Sequence, residues 1–98
     1  MTFEIQKNAN ETTIDIVGRL DATTAPDLSK TINETIADTE NLVLDFKKLE
    51  YISSAGLRVL LAAQKKMQKL GTMKLTNVCK DVMEVFEMTG FSDILSIV

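Results

Sequence analysis

Two adjacent serines, Ser53 and Ser54, stand where an apolar stretch gives way to a helical pattern, and Ala55, Gly56 and Leu57 follow them. Upstream, Leu42 to Phe46 reads as a short apolar strand and Lys47 to Ile52 as a loop. A serine at a helix start lies among backbone N–H groups that lack intrahelical acceptors, at the positive end of the helix dipole. A negative group is favoured there. The chemistry this suggests is acceptance of a phosphate by Ser54 or Ser53. The plainer reading is that one of the two hydroxyls caps the helix, a hydrogen bond worth about 1 kcal/mol. Nucleophilic catalysis is disfavoured. A serine at a strand-to-helix turn suits a nucleophile elbow, but the GxSxG spacing is missing and the chain has no histidine to serve as base.

Other polar residues carry weaker signals. Asp21 lies in Gly18-Arg-Leu-Asp-Ala22, as a solvated loop carboxylate or an Asx turn. Asp45 ends an apolar strand, where it is expected to bond loop N–H groups. Arg58 follows Ser54 by four residues, within reach of a phosphate placed there. Lys65 and Lys69 share its face and read as solvated. The five methionines and Phe86 read as core filling, and Cys79 as a small buried hydrophobe. The absence of histidine excludes a Ser-His-Asp triad, a phosphohistidine relay and a histidine-ligated zinc. A single cysteine excludes an internal disulfide and a CxxC metal site, and neither GxxxxGK[ST] nor GxGxxG occurs. No catalytic residue, metal or cofactor is therefore expected.

Ninety-eight residues, 45% apolar and 26% charged, suit one folded domain over residues 1–98. A net charge of −3 disfavours direct binding of nucleic acid. No apolar run approaches the roughly 20 residues that span a bilayer, so membrane insertion is not expected. The lone cysteine and the lack of a secretory leader point to a reducing cytoplasm.

The elements that must position the serines follow from periodicity. Phe3, Ile5, Ile14 and Ile16 alternate with polar residues on either side of Asn8 to Glu11, a β-hairpin pattern. Thr24 is placed as an N-cap, with Pro26 in the first turn and Asp27 completing a capping box; Leu28, Ile32 and Ile36 then mark a helix to about Ala37. Leu42 to Phe46 reads as a central strand covered on both faces. A second helix is expected from about Ala55 to Leu70, closed by Gly71, with Leu60, Ala63, Met67 and Leu70 on its buried face. Thr72 to Thr76 reads as a strand, and Val82, Val85 and Phe86 mark a third helix ending at Gly90. Ile94 to Val98 suits a short strand or a helix equally. This order predicts an α/β fold: a mixed sheet of four to five strands with about four helices packed mainly on one side. The loops bearing Asp21 and Ser54 should open at the same end of the sheet.

The segment Leu44-Asp-Phe-Lys-Lys-Leu-Glu-Tyr-Ile-Ser-Ser-Ala-Gly-Leu-Arg-Val59 resembles the signature of bacterial anti-sigma factor antagonists, members of the STAS domain family. Gly18 to Ala22 followed by Ala25-Pro26 is similar to the family's upstream motif, and Val85 to Phe91 to its last helix and glycine. The resemblance covers the whole chain and implies a single STAS-like domain without enzymatic activity. It implies that the unphosphorylated form binds an anti-sigma factor that is also a GHKL-type serine kinase, so releasing a sigma factor. Phosphorylation of Ser54 by that kinase would end binding, and a PP2C-type phosphatase would reverse it. The implied partner-binding residues are Asp21, Thr23, Ser53, Ser54, Gly56, Leu57 and Arg58. The family's usual aspartate before the acceptor is replaced here by Ser53, which leaves Ser53 as a second possible acceptor. Two other functions are compatible with the family: a subunit regulating the ATPase of an ABC-type lipid transporter, and a module binding a nucleotide or other small ligand.

Overall fold

The computed structural model describes residues 1–98, with side chains described for all but Asp38. Strand β1 (Thr2–Asn8) and strand β2 (Glu11–Leu20) form an antiparallel hairpin in which Phe3 faces Ile16 and Ile5 faces Ile14. Helix α1 (Ala25–Thr35) runs into a 3-10 turn at Ile36–Asp38. Strand β3 (Asn41–Asp45), strand β4 (Leu49–Ile52), helix α2 (Ser54–Leu70), strand β5 (Thr72–Thr76) and helix α3 (Lys80–Thr89) follow, with a last 3-10 turn at Phe91–Asp93.

The sheet order is β1-β2-β3-β5, and β4 pairs with β2 as well. Only the hairpin is antiparallel; β2–β3, β2–β4 and β3–β5 are parallel. The long strand β2 serves two neighbours in turn. Its first half pairs with β3, then the register shifts between Gly18 and Arg19, and its end pairs with β4. Gly18 has φ +112°, a backbone conformation that residues with a Cβ rarely adopt, and its N–H donates to the Lys48 carbonyl at 3.1 Å. The shift redirects the end of β2 toward β4.

One face of the sheet is buried beneath the helices. Ile14, Ile16, Leu42, Leu44, Met73 and Leu75 meet Leu28 and Ile32 of α1, Leu60, Ala63 and Met67 of α2, and Val82 and Phe86 of α3. Phe46 and Phe86 pack with ring centres 6.4 Å apart. The residues between the buried ones, Thr13, Asp15, Val43 and Asp45, are only half-buried, and Lys74 is exposed. Strand β3 is therefore central but covered on one face, not on both. Its apolar run is continuous because the half-buried Val43 occupies the open face, where β-branched residues suit the pleated surface.

Several other expectations are corrected. Leu49–Ile52 is a strand, not loop: Leu49 and Ile52 are buried at its two ends while Glu50 and Tyr51 face outward. That burial pattern lacks the strict alternation by which a strand is recognised in sequence. Three α-helices and two 3-10 turns take the place of about four helices. The C-terminal segment is neither a full strand nor a helix. It makes a single parallel bridge, Leu75 to Ile97, held by Leu75 N–H to Ser96 O and Val98 N–H to Leu75 O, each 2.9 Å. Leu70, the last residue of α2, is exposed rather than buried. Cys79 is exposed at the start of α3. Met1 and Met88 are exposed too, whereas Met67 and Met73 fill the core as expected.

The junction between α2 and β5 is sterically tight. A Cβ at Gly71 would lie 1.8 Å from the Glu40 carbonyl oxygen, and that same oxygen accepts the Thr72 N–H at 2.8 Å. Gly71→Ala must push apart two backbones that are hydrogen-bonded side by side. It is expected to cost about 1–3 kcal/mol, or a fall in Tm of roughly 4–8 °C per kcal/mol for a domain of this size. Thermal melting followed by circular dichroism checks this; an unchanged Tm would mean that the junction relaxes freely.

Candidate functional site

Strands β2 and β4 are parallel neighbours, with Leu20 opposite Ile52. Both run out into loops at their C-terminal ends, the end at which open α/β sheets usually carry their sites. The Ser53 N–H donates to the Leu20 carbonyl at 2.8 Å. This bond ties the two exits together, so that Asp21 and Ser53 begin adjacent loops. The expected opening of the Asp21 and Ser54 loops at one end of the sheet is what the pairing produces.

The two serines have different environments. Ser53 is the N-cap, with extended backbone (φ −101°, ψ 176°). Its Oγ accepts from the Gly56 N–H at 3.5 Å, and its carbonyl accepts from the Leu57 N–H at 3.0 Å. At that length the side-chain bond is a weak cap. Ser54 is the first helical residue and is exposed. Its hydroxyl has no hydrogen-bond partner among the described residues. The first turn of α2 contains no acidic residue, so nothing on the helix itself offsets the positive end of its dipole.

Gly56 and Leu57 lie inward, away from the surface on which the family resemblance places them. A Cβ at Gly56 would come within 2.7 Å of Leu20 Cγ and 2.9 Å of Ile52 Cγ1. The bare backbone is what lets α2 begin directly over β2 and β4. Leu57 is buried in the core cluster. Both residues position the serines.

Asp21 organises the neighbouring loop. Its carboxylate accepts from the Thr23 N–H at 3.0 Å and the Thr24 N–H at 3.1 Å, and the Thr24 hydroxyl oxygen lies 3.3 Å away. This is the Asx-type arrangement that the sequence allowed. The Thr24 backbone N–H is the main cause that holds the Asp21 carboxyl below the usual carboxylate range, with burial opposing it; Thr23, the Thr24 hydroxyl and the Arg19 charge add to the lowering. Thr24 occupies the N-cap position of α1 but makes no side-chain cap, and no capping box with Asp27 forms. Its hydroxyl turns back instead, donating to the Arg19 carbonyl at 2.7 Å. Thr23 is exposed beside it. Asp45 behaves as expected of a strand-end carboxylate, accepting from the Lys47 N–H and from Asn77 Nδ2 at 2.9 and 3.1 Å.

Arg58 is exposed one turn along from Ser54 and makes no hydrogen bond or ion pair among the described residues. Arg19 and Tyr51 carry no site signal in the sequence. The Arg19 guanidinium lies 4.4 Å from the centre of the Tyr51 ring, and Tyr51 is 41% exposed. The two residues are cross-strand partners, placed just before Asp21 and Ser53. Only the β2–β4 pairing brings them together, and that pairing is invisible while Lys47 to Ile52 reads as loop.

Two parallel strand exits thus bring an exposed serine at a helix start beside an Asx-braced loop. The chain belongs to the STAS domain family, whose match extends over residues 2–98. It is 28% identical over 98 residues to the anti-sigma-B factor antagonist of Bacillus subtilis (strain 168), covering 99% of this chain and 90% of that one. The fold matches the crystal structure of an anti-sigma factor antagonist from Mycobacterium paratuberculosis with a TM-score of 0.89 at 24% identity, covering 98% of this chain and 83% of that one. It also matches the phosphorylated form of the Bacillus cell fate determinant SpoIIAA with a TM-score of 0.77 at 18% identity, covering 99% of this chain and 91% of that one. No helix among the described residues is long and apolar enough to cross a membrane.

The Asp21 geometry has a pH consequence. A carboxylate whose folded pKa is depressed contributes stability that is fully present above its unfolded pKa, about 3.9 for aspartate. That contribution is lost as pH falls through the lower folded value. NMR titration of the Asp21 side chain should give a midpoint below the ordinary aspartate value, and the Thr23 and Thr24 amide shifts should follow the same curve. In Asp21→Asn the amide shifts should be flat over that range. An ordinary midpoint for Asp21 would show that the loop does not hold the carboxylate.

Proposed function

We propose that this chain is an anti-sigma factor antagonist switched by phosphorylation at Ser54. In this reading the unphosphorylated form binds an anti-sigma factor that is also a GHKL-type serine kinase, and a sigma factor is released. Phosphorylation ends the complex and a PP2C-type phosphatase restores it. The chain is then a binding protein and not an enzyme. The observation that carries the choice of residue is the division of labour between the serines: the Ser53 hydroxyl caps α2, while the exposed Ser54 hydroxyl has no partner among the described residues. The docking surface comprises Asp21, Thr23, Ser53, Ser54 and Arg58, seated by Gly56 and Leu57 beneath.

The energetics suit a switch at an interface. Phosphoserine carries about −1.5 to −2 charge at pH 7. On its own domain the charge sits at a helix N-terminus that stabilises it by roughly 0.3–1 kcal/mol, with Arg58 one turn away. No refolding is needed. Against a partner the same group must be desolvated, and a misplaced like charge costs several kcal/mol. Such a cost lowers affinity by on the order of a thousandfold.

The test is labelling by a candidate GHKL-type kinase with ATP, read by mass spectrometry of the peptide that spans residues 53–58, together with calorimetric binding. Ser54→Ala should fold with nearly unchanged stability, because Ser54 is not the cap. It should bind the kinase and take no phosphate. Ser54→Asp should fold and bind poorly, though one charge is a partial substitute for nearly two. Ser53→Ala should lose about 0.5–1 kcal/mol of capping energy and still be labelled. Labelling that survives in Ser54→Ala and vanishes in Ser53→Ala would move the acceptor by one residue. If neither substitution changes labelling or binding, the switch is wrong. Capture of an ABC-type ATPase, or a thermal shift with nucleotides, would favour the other functions open to the family.

A further inference from the structure

The outward face of α2 carries more than Ser54. Arg58, Lys65, Lys66 and Lys69 are all exposed, and the helix contains no aspartate or glutamate. This occurs in a chain whose net charge is −3. At 3.6 residues per turn, Ser54, Arg58, Lys65 and Lys69 fall within about 60° of one another, on a line that runs roughly 22 Å along the helix. Nothing described in the domain neutralises the line. Lys66 Nζ donates to the neutral amide oxygen of Asn33. Arg58, Lys65 and Lys69 make no hydrogen bond or ion pair among the described residues.

The arrangement works partly against the helix that bears it. Lys65 and Lys69 are like charges at i,i+4, which repel. Arg58 lies toward the positive end of the dipole. Surface helices that serve only solubility mix both signs. Leu70, at the very end, is the one large apolar side chain exposed on this helix among the described residues, so no apolar face accompanies the charge as bilayer binding requires. The helix has no aromatic side chain on which bases could stack. An acidic protein surface fits the charge best, and the line begins at the serine assigned to docking.

We propose that the basic face of α2, from Arg58 to Lys69, attracts and aligns an acidic surface of the protein partner that docks at Ser54. This rests on the function proposed above and adds the chemistry of the partner and a division of kinetic roles. Opposed charged surfaces raise association rates by about 10- to 1000-fold. Lys69 lies more than two Debye lengths from Ser54 at physiological salt, where that length is about 8 Å. A phosphate on Ser54 therefore leaves the field around Lys65 and Lys69 largely intact. The lysine face governs encounter, and the serine governs how long the complex lasts.

The experiment measures association and dissociation rates of the full chain with the purified kinase that labels Ser54, at about 50 mM and about 500 mM salt, conditions with long and short screening lengths. The triple variant K65E/K66E/K69E should associate at least about tenfold more slowly at low salt, with the difference nearly gone at high salt. Its dissociation rate should stay within about twofold, and its Tm should match the wild type. The variant K65Q/K66Q/K69Q should fall between. Ser54→Asp should do the reverse, dissociating faster with little change in association. Unchanged association in both lysine variants, with Ser54→Asp still weakened, overturns the proposal and leaves the Ser54 function standing. If the wild type binds no such kinase, both fall. Vesicles of anionic phospholipid and poly(U) serve as competing probes: lysine-dependent binding to either, with unchanged kinase kinetics, also overturns the proposal.

Discussion

Everything at the candidate site depends on how closely the start of α2 can approach the strands beneath it. Leu20 and Ile52 form the floor, and Gly56 rests on both with no room for a Cβ. With the helix seated at that depth, the Ser53 N–H reaches the Leu20 carbonyl and the Ser53 hydroxyl reaches back to the Gly56 N–H. The first helical residue is then forced outward. Ser54 is thus exposed as a consequence of packing two residues farther on, in the interior. The same contact explains why the β2 register shift at Gly18 matters: it brings Leu20 opposite Ile52, and a different register would remove the floor.

The candidate site separates the requirements of folding from those of the proposed docking. The buried side of α2 is apolar and continuous with the core, while its outward side carries the Ser54 hydroxyl and cations that make no ion pair among the described residues. A charge change on the outward side touches none of the core contacts. The adjacent loop is braced independently, by Asp21 holding two backbone N–H groups. Hydrogen bonds brace both strand exits beside the helix start, and for the proposed docking a surface held in this way limits the ordering cost of binding. In the proposed switch a phosphate on Ser54 would change partner affinity through desolvation and charge at the surface itself.

Much of this was legible in the sequence, and the failures have identifiable causes. Alternation at Ile14 and Ile16 and the helical spacing of Leu60, Ala63 and Met67 located the hairpin and α2, because those residues obey the period of their element. Leu49–Ile52 does not read as a strand because its buried residues are three apart, with Glu50 and Tyr51 between them. Missing β4 also hid the Arg19–Tyr51 pair, since that contact exists only through strand pairing. The order of the serines could not be read either. Either can accept an N–H bond, and a one-residue shift of the helix start exchanges cap and first residue. Cys79 and Leu70 were misplaced for a simpler reason: both lie at helix ends, where a periodic pattern no longer tells which side faces the core.

Ser53 stands where the family resemblance leads one to expect an aspartate, and the difference has physical consequences. An aspartate in that position would cap the helix and neutralise part of its dipole. Serine caps, weakly here at 3.5 Å, but adds no charge. The start of α2 therefore keeps its full positive end, continuous with Arg58 and the lysines beyond it. An unmodified surface of that kind suits an acidic partner along the whole helix. The same positive end also accommodates a phosphate on Ser54 at little cost to the fold. In the proposed switch a single choice of cap would serve both states: it leaves the unmodified face positive and gives a phosphorylated Ser54 an electrostatic partner within its own domain.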